Sequence, residues 1–438
     1  MIVLMPHCGF LSETSRMLEI GRALRARGAA VCFASHGGPY EVLLREAGES
    51  VDRLEPAMSD ARCARFVRAI PGISLRAEPL FETGELRAMV DAEARYLRER
   101  GARCAVTGFT LAALLASRVA GVPLVTEHAG SFVGPMFEAG LVPASLRPPV
   151  PLGRWLPAGM RRWLANQGPL RVRDGCEALD AVAAELGVEG VPSLAALLMG
   201  DLTLVTDVPE LTGLSAEALA GWTPRDPSRY RRAPRLRYTG PLFARFERPV
   251  PERVERFLAD DGPVAFVAVT SVEAGFIRGV VAAVRAAGVR ALVAGTVPGL
   301  DTLDGPGVCV AGVLPSHEVF PRVALGVIAG GQGSVQTALW AGRPFVGIPL
   351  QPEQDWNVAC AERIGAARRV APDEAAGPVM TRAVRSLLGD AAARVAAEKA
   401  KAWLRAVDGP SRAAEEILAF LDERARSVSQ TSEPHKLR

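Results

Sequence analysis

The sequence predicts an α/β protein made of two doubly wound parallel-sheet domains. Three observations predict it. Short apolar strands alternate with helices from the first residues onward. The same alternation returns from about residue 264. A glycine-rich turn then joins an apolar strand to a helix near residue 330. Strands alternating with helices bury a parallel sheet between two helical layers. A chain of 438 residues is long enough for two such units, each with its own core.

The first half opens with the strand Ile2–Met5, the loop Pro6–Ser12 and a helix over Glu13–Arg27. Met17, Leu18, Ile20 and Leu24 give that helix an apolar face, and Gly28 stops it. Ala30–Ala34 reads as a strand, His36-Gly37-Gly38-Pro39 as a turn, and Tyr40–Ala47 as a helix. Cys104–Val106 and Pro123–Thr126 are further strands, with the helix Leu111–Val119 between them. The second half starts with the strand Val264–Val269 and a loop from Thr270 and Ser271. The helix Gly275–Ala287 and the strand Ala291–Ala294 follow. Internal repeats are not evident in the sequence itself.

Composition excludes several classes. Hydrophobic residues at 49% and charged residues at 23% are globular values. A net charge of +3 with dispersed arginines gives no nucleic-acid footprint. The seven cysteines show no metal-ligand spacing, so reduced thiols in a cytoplasm and no metal site are expected. Met1–Met5 runs straight into Pro6, unlike a secretory leader, and no apolar run has the roughly 20 residues of a membrane span.

The most informative stretch is Ala311–Gln354. Its centre is the strand Leu325-Gly326-Val327-Ile328, then Ala329-Gly330-Gly331-Gln332-Gly333-Ser334-Val335-Gln336-Thr337. Ala338–Ala341 completes a helix, Gly342 stops it, and Phe345–Leu350 is the next strand. A glycine turn that opens a helix lets backbone N–H groups approach a phosphate, and the helix N-terminus favours its charge. A plain tight turn in a doubly wound sheet is the alternative. Glu353-Gln354 and Asn357 follow downstream.

These residues resemble the nucleotide-sugar signature of the UDP-glycosyltransferase superfamily, inverting enzymes of the GT-B fold. The resemblance includes Asp207-Val208-Pro209-Glu210 and the link Tyr238-Thr239-Gly240-Pro241-Leu242, and so covers nearly the whole chain. It implies two Rossmann-like domains facing a cleft, with an acceptor-binding domain over residues 1–237 and a linker over 238–250. A nucleotide-sugar domain over 251–411, a helix over 412–425 that packs back on the first domain, and a disordered tail over 426–438 complete it. No cofactor or metal is implied beyond the donor. A small-molecule acceptor and the nucleotide sugar are the expected partners, without nucleic acid or stable membrane insertion, and a homodimer is left open.

On the donor side the resemblance gives Gly331, Gly333 and Ser334 to the diphosphate, with Thr270 and Ser271 facing the phosphates. Glu353 and Gln354 would bond the sugar hydroxyls, since the pair offers acceptors and donors together. Two positions depart from the pattern. The turn's His is Ala329, and the Glu that holds ribose hydroxyls is Thr337. A dTDP-sugar has less use for that Glu, because deoxyribose lacks the 2′-hydroxyl. The nucleobase would lie near His317, largely on backbone.

On the acceptor side the family's catalytic dyad is absent. Its His position falls on Glu13 and its Asp position on Thr107. Glu13 can replace the His as the base that takes the acceptor proton. It can equally be a helix-start residue, with Ser12 as N-cap. Arg16, one turn on, can pair with Glu13, hold an anionic acceptor, or be structural. His7 at the end of the first strand and His128 in Thr126-Glu127-His128 are the other candidate bases, each with a structural alternative, and His36 reads as a turn residue. Pro149–Trp163, with Trp155, Met160 and Trp163 among arginines, suits a lid over a hydrophobic acceptor, a membrane-surface helix, or buried packing. The expected function is transfer of a sugar from a dTDP- or UDP-sugar to a hydrophobic small molecule, in natural-product biosynthesis. The rival is a protein of the same fold that has lost transfer and serves as a binding or auxiliary protein, or runs other chemistry in the cleft.

Overall fold

A computed structural model describes residues 1–70, 79–146, 153–173, 175–231, 234–243, 248–269, 272–295 and 297–431. Thr270 and Ser271, expected at the phosphates, lie outside them. Two parallel sheets organise the chain. The first holds β1 (Ile2–Leu4), β2 (Val31–Ser35), β3 (Val51–Arg53), β4 (Cys104–Thr107), β5 (Leu124–His128), β6 (Leu202–Val205) and β7 (Arg235–Tyr238). Its order is β3-β2-β1-β4-β5-β6-β7. The second holds β8 (Val264–Ala268), β9 (Arg290–Ala294), β10 (Val308–Ala311), β11 (Leu325–Ile328), β12 (Phe345–Gly347) and β13 (Ala367–Arg369), in the order β10-β9-β8-β11-β12-β13. Every strand pair is parallel. The central strands β1, β4, β5, β6 and β11 are buried along their whole length, as sheets covered on both faces require.

The strand orders fix where ligands go. Each sheet is wound in both directions from its middle, so the order reverses between β1 and β4 in the first and between β8 and β11 in the second. Crevices at the carboxyl ends of strands beside such a reversal are the natural ligand sites of open α/β sheets. The segment after β1 holds His7 and Glu13, and that after β4 holds Gly108 and Phe109. The glycine turn follows β11.

The C-terminal helix Gly409–Thr431 lies against the first helix, Leu11–Ala26. Ala413, Ala414, Ile417, Phe420 and Leu421 share a core with Met17, Leu18, Ile20 and Leu24. The helix starts earlier than residue 412 and does not break at 426. It continues to Thr431, and Ser427 Oγ donates to the Glu423 carbonyl at 3.0 Å. The first helix also starts differently from its expected pattern. Phe10 is its N-cap residue, without a side-chain cap, and Ser12 lies exposed inside the first turn. Trp155, Met160 and Trp163 are 72%, 51% and 53% exposed, so buried packing does not explain these three side chains, while residues 149–152 of that segment lie outside the described residues. Among the described residues no helix is long and apolar enough to cross a membrane.

Candidate active site

The glycine turn has the geometry its sequence calls for. Gly330 has φ of 95°, and a Cβ there would lie 2.4 Å from Val358 Cγ2, so this glycine is required by the fold itself. Gly331 and Gly333 are different. A Cβ at either would meet nothing within 4 Å. Gly331 is the N-cap of the signature helix Gln332–Trp340, and the space before both glycines is open. The first N–H groups of a helix have no partner within it. One of them is taken by a side chain: Gln332 N donates to Glu353 Oε1 at 3.2 Å. The Glu353 carboxylate thus already places negative charge at this helix N-terminus. Asn357 Nδ2 donates to the same oxygen and to the Gly330 carbonyl. Burial pushes the Glu353 pKa up to about 7, against the pull of these donors.

The other donor-side residues are placed as follows. Ser334 is partly exposed on the first turn. Gln354 Oε1 accepts from Leu350 N at 2.8 Å, which ties its own loop. Thr337 Oγ1 donates to the Gly333 carbonyl at 2.7 Å, a bond within the helix. Ala329 is 4% exposed and belongs to the apolar cluster with Val269, Val327 and Ile348. His317 sits on the short helix Ser316–Val319.

Across from this turn the first domain gathers a buried charged group. Glu13 is fully buried. Its Oε1 accepts from His7 N at 3.1 Å, Gly108 N at 2.9 Å and Phe109 N at 2.9 Å. The side chain therefore joins the segments after β1 and β4 and does not cap its own helix. Its Oε2 is buried without a partner among the described residues. Burial, with the nearby Glu127 charge, pushes the Glu13 pKa up to about 8. Glu127 Oε2 accepts from Arg16 Nε at 2.6 Å, with side chains 0% and 7% exposed. Burial alone would weaken the Arg16 cation, but Glu127, Glu13 and Glu353 around it hold it charged. Thr107 donates to the Met5 carbonyl at 2.7 Å.

The two candidate imidazoles are neutral. Burial lowers the His7 pKa to about 3, and its ring stacks on Phe66 at 4.3 Å. His7 Nδ1 accepts from Gly9 N at 3.2 Å, and Nε2 has no partner. Burial, then Arg16, lowers His128 to about 3. Its ring sits between Phe109 and Phe132, and neither nitrogen makes a hydrogen bond. Such weak bases are poorly matched to proton abstraction near neutral pH. His36 is more than a turn residue: its Nε2 lies 3.0 Å from Glu93 Oε1 and its Nδ1 2.9 Å from the Pro56 carbonyl.

Two features were missed in the sequence. Arg16 and Glu127 form one buried pair, signalled only by a carboxylate inside a fully buried strand. The signature helix is also clasped to the first domain. Gln332 Nε2 donates to the Thr206 carbonyl at 3.0 Å, and Gln336 Nε2 to the same carbonyl at 2.6 Å and to Asp207 Oδ1 at 3.2 Å. Asp207 Oδ2 accepts from Gly130 N at 2.7 Å, so the ends of β5 and β6 meet the helix there.

Two doubly wound parallel sheets, of seven and six strands, with a glycine turn at the reversal of the second, form a GT-B architecture. Solved structures agree on the fold. The glycosyltransferase SnogD from Streptomyces nogalater superposes with a TM-score of 0.60 at 19% identity, over 96% of this chain and 99% of that one. VinC in complex with dTDP gives 0.63 at 17% identity, over 97% and 100%. The spinosyn rhamnosyltransferase SpnG with spinosyn aglycone gives 0.60 at 19%, over 95% and 100%. In sequence, 108 residues are 28% identical to the NDP-glycosyltransferase YjiC of Bacillus licheniformis. That match spans 25% of this chain and about a quarter of the relative, 27% of its length. No protein-family model matches the chain. The fold is that of the natural-product glycosyltransferases, GT-B.

Proposed function

We propose that the protein is an inverting glycosyltransferase that moves a sugar from a dTDP- or UDP-sugar to a hydrophobic small-molecule acceptor, in natural-product biosynthesis. One observation carries the reading. The glycine turn leaves open space at Gly331 and Gly333, and its helix N-terminus already accepts a carboxylate in place of a phosphate. The donor would lie on the second domain, with its diphosphate on Gly331, Gly333 and Ser334 and its sugar on Glu353 and Gln354. Binding would draw Glu353 from the helix amide toward the sugar hydroxyls. The acceptor would lie on the first domain. VinC was solved with dTDP and SpnG with an aglycone, which supports both substrate classes. Thr337, spent on its own helix, favours the deoxyribose donor.

Glu13 is the base in this reading. Its Oε1 is held by three N–H groups and its Oε2 is unsatisfied, so one oxygen positions the carboxylate and the other takes the acceptor proton. Burial raises its basicity. The acceptor oxygen bonds to the anomeric carbon as the bond to the diphosphate breaks on the opposite face.

The test is a transfer assay with dTDP- and UDP-hexoses against a panel of polycyclic and macrolide aglycones. The product is read by mass spectrometry and its anomeric configuration by NMR. An α-linked donor should give a β-linked product. Retained configuration would contradict inversion, and the absence of both product and donor hydrolysis would contradict transfer. The second reading, a binding protein on a transferase fold, draws on Ala329, whose burial in apolar packing leaves no imidazole for the departing phosphate.

A further inference from the structure

The turn lacks the imidazole that the resemblance expects at position 329, so the charge of a departing diphosphate needs another partner. The first domain offers one. Arg16 is 6% exposed, and its single hydrogen bond uses Nε, toward Glu127. Among the described residues its two Nη groups have no hydrogen-bond partner, yet neither is sealed from solvent. A guanidinium has five N–H donors in a fixed fork, and one used at Nε leaves the outer donors for an oxyanion. Glu127 anchors the side chain in one orientation, and its own burial makes the pair rigid.

Position points the same way. Glu127 is the penultimate residue of β5, and the segment just beyond the strand, Gly130–Phe132, packs on the helix Pro352–Arg363 that carries Glu353. Glu353 in turn rests on Gln332 N at the mouth of the glycine turn. Arg16 and the Glu353 carboxylate stabilise each other's charge across the cleft. An anion now held at that helix N-terminus thus lies within the field of Arg16.

We propose that Arg16 binds the diphosphate of the donor and stabilises it as it leaves, in the role left empty at Ala329. This rests on the glycosyltransferase reading. In the step, the acceptor oxygen forms its bond to the anomeric carbon and gives its proton to Glu13. The electron pair of the broken C–O bond goes to the β-phosphate oxygen, whose charge Arg16 meets.

Removing Arg16 alone would leave Glu127 buried and unpaired, so the test uses two variants. Arg16→Met with Glu127→Gln removes both charges together, and Arg16→Lys keeps a charge without the fork. Thermal melts confirm folding. Calorimetry then measures dTDP, UDP, thymidine and uridine on wild type and both variants. The double variant should bind the nucleoside diphosphate about 10-fold to 100-fold more weakly, the range expected for charged hydrogen bonds. Its affinity for the nucleoside should stay within about twofold, and Arg16→Lys should fall between. Unchanged diphosphate affinity in a folded double variant, with wild type binding normally, overturns this proposal alone and leaves an anionic acceptor as the remaining partner for Arg16. Equal loss for nucleoside and diphosphate also overturns it. If wild type binds neither diphosphate, the glycosyltransferase reading falls and this proposal with it.

Discussion

Glu13 Oε1 accepts a hydrogen bond from Gly108 N at 2.9 Å, tying the first helix to the turn after β4. The contact is so close that a Cβ on Gly108 would lie 2.9 Å from Glu13 Cδ. One carboxylate therefore spans the reversal in strand order of the first sheet, which is where an acceptor would enter.

Glu13→Gln separates positioning from chemistry. A Gln carbonyl accepts the same three N–H bonds, so the variant folds, but it takes no proton. Transfer should fall by about 10²- to 10⁴-fold, with the acceptor KM little changed. A matched loss of fold, seen in thermal melts, would show that Glu13 is structural instead.

The pH dependence has a definite sign. Burial and the Glu127 charge raise the Glu13 pKa from 4.5 to about 8. As a base it works ionised, so kcat/KM should rise as pH approaches about 8. Stability runs the other way. The raised pKa favours the neutral folded form, and its contribution is complete below pH 4.5 and is lost as pH rises through about 8. Melting temperatures of Glu13→Gln relative to wild type should therefore improve from pH 5 to pH 8. A constant difference would contradict the raised pKa.

The glycines of the turn should divide by role. Gly330→Ala meets Val358 and a positive φ, so it should cost about 1–3 kcal/mol in urea unfolding. Gly333→Ala enters open space on a helix and should gain up to about 1 kcal/mol. The same change should weaken dTDP binding about tenfold or more, or roughly 1.4 kcal/mol. Undiminished binding by Gly333→Ala would place the phosphates elsewhere.

Ala329→His puts an imidazole into tight apolar packing with Val269 and Ile348. Overpacking should destabilise by about 1–3 kcal/mol, read in urea unfolding. If Arg16 already meets the leaving group, turnover should rise less than tenfold. A much larger rise would mean that nothing replaces the missing side chain.

The alternating pattern exposed the fold because fully buried parallel strands leave short apolar runs between helices. Leu325–Ile328 matched to the residue. Strands β3, β6, β7, β10 and β13 escaped notice: charges interrupt Val51-Asp52-Arg53, Arg235–Tyr238 and Ala367-Arg368-Arg369, and Leu202–Val205 and Val308–Ala311 are runs of only four residues. The donor turn was legible because its glycines are contiguous. The Arg16–Glu127 pair was not, because its members lie 111 residues apart and meet only once β5 stands two strands from β1. The clasp of Gln332 and Gln336 on Thr206 and Asp207 was hidden for the same reason, since the amides read as ordinary helix residues.

The most direct measurement is calorimetric titration of the purified protein with UDP and dTDP. The account predicts binding of at least one, with dTDP favoured by the Thr337 side chain. No binding of either at millimolar concentration would contradict a nucleotide-sugar site on this turn and turn attention to other ligands of the cleft.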